Sequence, residues 1–166
     1  MASPGTCAEC GRPLDEHNRH LRFNLPQPVL DLVPNEEERA AKTWGNDVLM
    51  QVRGVGAFVR VLVPVNLTGG YSVTFGAWLG VEPAALRRAY EVWWKPEYLE
   101  LRLDGVLANM LPPWEADTYP RPLEAAPRVM DEVPYATVSS DETVTRILTE
   151  QWPHQPVLEA VAPYFR

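Results

Sequence analysis

The chain has 166 residues, 15 Lys and Arg against 22 Asp and Glu, and a formal net charge of −7. That length fits one domain and buries a core without disulfides. The acidic balance argues against a general nucleic-acid binder, which needs a surplus of Lys and Arg on its surface. Nothing approaches the roughly 18 uninterrupted apolar residues of a membrane span. Met1-Ala-Ser-Pro-Gly-Thr lacks the apolar centre of a secretion signal, so a cytoplasmic location is expected. There are 17 prolines, spread along the whole chain, which predicts many short elements.

Residues 1–25 are polar, hold both cysteines and read as a small Cys/His appendage; residues 26–166 read as one α+β domain. Asn35 caps a predicted helix that opens on Glu36, Glu37 and Glu38, where the helix dipole favours carboxylates. Three strands are predicted at Asp47–Arg53, Ala57–Val65 and Tyr71–Val81. A two-residue turn at Gly54-Val55 pairs Met50 with Val59, and the longer loop places Val61 opposite Phe75. One face then carries Val48, Met50, Val52, Val59, Val61, Val63, Val73, Phe75 and Ala77, all apolar. The other face is mixed, with Arg60 opposite Gly76 and Phe58 opposite Trp78, a shelf with space above the glycine.

Pro83 opens a helix carrying Leu86, Ala89, Tyr90 and Trp93, and Pro96 stops it. Leu99, Leu101 and Leu103 alternate as a strand that ends in an Asp104-Gly105 turn. Pro112–Pro134 reads as irregular, with one strand near Ala125–Met130. Ser139 and Glu142 form a capping box before a helix through Ile147, and Val157, Leu158 and Val161 suit a last short helix. The expected architecture is a curved antiparallel sheet with helices packed on one face.

Motifs in order along the chain carry a resemblance. They are Cys7-x-x-Cys10-Gly11; Glu37-Glu38-Arg39; Phe58-Val59-Arg60 with Pro64; Gly76-Ala77-Trp78; Trp93; Tyr98; and Gly105-Val-Leu-Ala-Asn109-Met-Leu-Pro112. In this order they resemble a family of prokaryotic proteins catalogued as a domain of unknown function, DUF2199. The resemblance implies organisation and no particular activity. One departure is the first histidine: the family pattern sets it soon after Cys-Gly, and here it is His17.

The strongest chemical signal is the Cys7-x-x-Cys10-Gly11 turn, on which two thiolates can meet one tetrahedral ion. His17 and His20 would complete a Cys2His2 set for structural zinc; two free thiols in a solvated tail and a redox dithiol are the alternatives. A second candidate is the mixed sheet face, where Arg60 with Trp78, Asn109 and Trp114 could hold an anionic ligand. The plainer reading pairs Arg60 with a carboxylate from a covering helix. His154, between Pro153 and Pro156, reads as a surface loop residue. No serine elbow or phosphate loop occurs, and no carboxylate pair is singled out for acid–base work. The favoured function is a non-enzymatic cytoplasmic module that binds a protein partner, such as an acidic antitoxin-like surface against a basic toxin. The rival is a small enzyme or small-molecule binder that grips an anion at Arg60.

Overall fold

The computed structural model describes residues 5–7, 10–14 and 17–165. The Met1–Pro4 stretch used in the location argument lies outside the described residues. The elements are β1 (Asn18–Arg22), α1 (Gln27–Leu32), α2 (Glu36–Lys42), β2 (Thr43–Gly45), β3 (Leu49–Val52), β4 (Gly56–Asn66) and β5 (Ser72–Val81). They continue with α3 (Pro83–Val92), β6 (Leu103–Leu107), β7 (Arg121–Ala126), β8 (Tyr135–Val138), α4 (Glu142–Thr149) and α5 (His154–Val161).

The fold is α+β, but its sheet is not an open curved one. β4, β5, β6, β7 and β8 follow one another, and β8 returns to pair in parallel with β4, which closes a five-strand barrel. β3 and β2 extend it beyond β4, and β1 pairs in parallel with β5. Closure removes the open edges of these five strands, and β1 and β2 are the edge strands that remain.

Two apolar cores follow, one on each side of β4 and β5. The larger gathers Val59, Val61, Val63 and Val65 of β4 with Val73, Phe75, Ala77 and Leu79 of β5. Leu103, Leu107, Leu123 and Ala125 join from β6 and β7, as do the buried faces of α3, α4 and α5. The smaller holds Val29 and Val33 around α1 with Met50, Val52, Phe58, Trp78 and Ala108. Helical residues therefore pack on both faces, not one.

The register corrects the expected one. The β3–β4 turn takes three residues, so Val52 faces Gly56 and Met50 faces Phe58. Leu49 and Met50 are both apolar, so a one-residue slip still gives each face a hydrophobic side chain and the pattern does not select between registers. Between β4 and β5 the slip is two residues: Val61 faces Ala77 and Arg60 faces Trp78. An even slip keeps every side chain on its face, which is why Val59, Val61, Val63, Val73, Phe75 and Ala77 are buried as expected.

Local chemistry accounts for other outcomes. Asn35 caps α2 by accepting from the Glu38 amide at 2.9 Å. α4 is capped by Asp141, which accepts from the Val144 amide, while Ser139 turns away to donate to the Pro122 carbonyl. Leu99 lies in a short 3-10 turn, Pro96–Glu100, and not in a strand. Asp104-Gly105 is no hairpin turn either; it sits inside β6. Glycine is required at 105 because a Cβ there would stand 2.0 Å from the Gly80 carbonyl oxygen. Among the described residues no helix is long and apolar enough to cross a membrane.

Gly105→Ala should therefore force β5 and β6 apart. A loss of about 2–4 kcal/mol in chemical denaturation is expected. A loss below about 0.5 kcal/mol would show that the two backbones are not held at this approach.

Candidate metal centre and the Arg60 shelf

The N-terminal cysteines sit on a small hairpin. Thr6 bridges Pro13, the Cys7 amide donates to the Arg12 carbonyl at 2.8 Å, and the Gly11 amide donates to the Cys7 carbonyl at 2.9 Å. Gly11 closes this turn at φ +74°, a conformation that costs glycine little. Leu14 then bonds back to Gly5, and the His17 amide to the Leu14 carbonyl, which brings His17 beneath the hairpin just before β1 begins.

The fourth member comes from the far end of the chain. Cys7, Cys10, His17 and His154 each offer a ligand atom, and these atoms all lie within 4.8 Å of one another. A tetrahedral zinc with bonds of about 2.0–2.3 Å needs its ligand atoms roughly 3.3–3.8 Å apart. Shifts of about an ångström, within the reach of side-chain torsions, would close the set on an ion. No disulfide joins Cys7 and Cys10; Cys7 is buried, and His17 is wholly enclosed.

Neighbouring groups orient both imidazoles. His17 Nδ1 lies 3.2 Å from the Pro13 carbonyl, so it carries the proton and donates, which leaves Nε2 to face Cys10 Sγ at 3.3 Å. His154 Nδ1 lies 2.6 Å from Thr68 Oγ1, and the His154 amide donates to the same oxygen at 3.1 Å. A protonated Nδ1 there presents Nε2 as the ligand. A hydrogen bond from the second ring nitrogen is the usual way a protein fixes a metal-binding imidazole. The rings of His17 and Tyr71 meet edge to face at 4.3 Å, and those of His17 and His154 lie 5.2 Å apart.

His154 is therefore not a surface loop residue. It is buried at the first turn of α5, because the segment before it is stitched to the β4–β5 loop. The Trp152 amide donates to the Asn66 carbonyl, and the Thr68 amide donates to the Trp152 carbonyl. Arg12 adds an ion pair from the hairpin to Glu159 of α5 at 3.1 Å. His20 lies elsewhere: it is exposed on β1 and outside the cluster. No local spacing could have pointed to His154, which joins through tertiary structure alone. The one signal was a histidine directly after Trp152-Pro153 at a helix start.

On the mixed face, Arg60, Trp78 and Asn109 do come together, but around the protein's own chain. Arg60 Nη1 donates to the carbonyls of Phe23 at 2.5 Å and Gly76 at 2.6 Å, and its Nε donates to that of Asp47 at 3.0 Å. The guanidinium lies over the Trp78 ring, 4.2 Å from its centroid. Trp78 Nε1 donates to the same Phe23 carbonyl. Asn109 accepts from the Trp78 amide at 2.8 Å and donates to the Leu25 carbonyl at 2.9 Å. Carbonyls, not a helix carboxylate, thus hold Arg60. Burial and the neighbouring Arg22 charge press its pKa down to about 10. Trp114 is not on this face; its ring meets those of Phe75 and Trp152 beside the larger core.

Asn109→Ala would leave the Trp78 amide and the Leu25 carbonyl without their partner. A loss of about 2–4 kcal/mol is expected in urea unfolding. A loss within experimental error would mean that water replaces the amide at no cost.

Residues 6–151 match the family described as "Uncharacterized protein conserved in bacteria (DUF2199)". The match takes in Cys7, Cys10 and His17 and stops just short of His154. No curated protein and no solved structure matches the chain. On the span of the family match, the chain belongs to DUF2199.

Proposed function

We propose that the protein is a non-enzymatic, cytoplasmic protein-binding module whose N-terminal hairpin is clasped to α5 by a structural zinc ion. The observation that carries this reading is the convergence of Cys7, Cys10, His17 and His154. Two thiolates and two imidazoles are a ligand set that suits zinc. Four protein ligands would leave no coordination position for a substrate, which makes the role structural and not catalytic. Two cysteines side by side without a disulfide fit a reducing compartment. The binding role rests on surface aromatics: Trp94 is 83% exposed, Tyr90 62% and Trp44 48%.

The rival reading, an anionic ligand at Arg60, has one observation in its favour. Arg60 Nη2 is buried and has no hydrogen-bond partner among the described residues. A ligand there would have Nη2 alone to bind, because the Phe23 and Gly76 carbonyls already take up Nη1.

Elemental analysis of untagged protein purified without chelator should give about one zinc per chain. Cys7→Ser and His154→Ala should each lower that to below about a fifth of an equivalent, while His20→Ala should leave it unchanged. Zinc lost with His20→Ala and kept with His154→Ala would overturn the ligand set. Metal-free wild-type protein with two titratable thiols would overturn the zinc reading itself.

A further inference from the structure

The aromatic surface is a groove rather than a scatter of side chains. It is an open cleft of about 680 Å³ between the end of α3 and the segment at 130–133, floored by Val48, Leu49 and Trp93. Tyr90 lies in the last turn of α3 and Trp94 in the turn that follows the helix, and both line the cleft. Tyr90 also lines a shallower adjoining cleft with Trp44, and the two rings meet edge to face at 5.5 Å. The opposite wall is fixed, because Tyr98 donates to the Glu132 carbonyl at 2.5 Å and the Leu62 amide to that of Pro134 at 2.9 Å.

The charges of the cleft are Glu91, Asp131 and Glu132 against Lys95, with Arg87 on the adjoining cleft. Glu132 accepts from the Tyr135 hydroxyl. Glu91 and Asp131 take part in no ion pair among the described residues. Exposed indole and phenol faces beside unpaired carboxylates recognise cations: the ring face attracts the charge and the carboxylate pairs with it. A guanidinium does both at once, since it stacks flat and donates in a fork.

We infer that this groove is the docking site for an arginine-bearing segment of a protein partner, seated on Tyr90 and Trp94 and paired with Glu91 and Asp131. The inference rests on the binding-module reading and names the chemistry of the partner. A second copy of the chain is the poorer occupant, because two acidic grooves on chains of net charge −7 repel.

The test is fluorescence anisotropy of a labelled peptide with arginine at every third position, against the full-length protein as purified. Zinc is measured on the same samples. The arginine peptide should bind, and its lysine counterpart should bind several-fold more weakly. Trp94→Ala removes an exposed side chain, so the fold should survive and affinity should fall about tenfold. Glu91→Gln with Asp131→Asn should cut affinity comparably and flatten its salt dependence, whereas Asp104→Asn, outside the groove, should change nothing.

Several outcomes overturn the inference: a glutamate peptide that binds as well, a proline-rich peptide without cations that binds better, or affinity indifferent to Trp94→Ala. A dimer abolished by Trp94→Ala would assign the groove to a second copy. No peptide binding by fully zinc-loaded protein sinks the groove and leaves the metal reading standing. Arginine-peptide binding by metal-free protein supports the groove and sinks the metal reading.

Discussion

The structure depends on one meeting point, where the two ends of the chain arrive at the β4–β5 loop. The hairpin at 5–14 brings two thiols, His17 brings a fully enclosed ring, and α5 brings His154, already tethered to Thr68. Polar groups at such depth must be satisfied: the carbonyl of Pro13 and the hydroxyl of Thr68 take the outward nitrogens, and His17 Nε2 meets Cys10 Sγ. The inward atoms face one another. An ion shared among them would satisfy the set together and close a loop that spans nearly the whole chain. Arg12 and Glu159 mark the same junction from outside, in an exposed pair too weak to hold it alone.

A second lock lies further along the same strand. From His17, β1 runs beside β5 to Phe23, where the chain crosses onto the other face. There Arg60, Trp78 and Asn109 gather the carbonyls of Phe23 and Leu25. Three side chains that look, on a strand diagram, like an open binding shelf are used to bind the protein itself. The N-terminal segment is thus held at Phe23 and Leu25 by this buried group, and at its other end its Cys and His side chains converge with His154. The α3 end of the molecule, with Tyr90 and Trp94, keeps large aromatic side chains exposed.

Much of this was legible in the residues and some was not, for physical reasons. Alternation in β4 and β5 identified the core face because a period of two survives a two-residue slip. β3 failed because Leu49 and Met50 fit either side equally. β1 was invisible: Asn-Arg-His-Leu-Arg has one apolar residue, and its strand state comes from pairing with β5 rather than from its own pattern. α1 was hidden by the prolines around it. Barrel closure turns on the contact of β8 with β4 at Leu62 and Tyr135, a long-range pairing that no local window contains. Three of the four clustered Cys and His residues were readable because they lie close in sequence. The fourth, His154, required the β4–β5 loop and α5 to be in place first.

X-ray absorption at the zinc edge of the purified protein would read the proposed clasp directly. Two sulfurs at about 2.3 Å and two imidazole nitrogens at about 2.0 Å are expected, with no oxygen bound to the ion. A shell with a water or carboxylate oxygen, or with a single sulfur, would contradict a closed clasp built by Cys7, Cys10, His17 and His154.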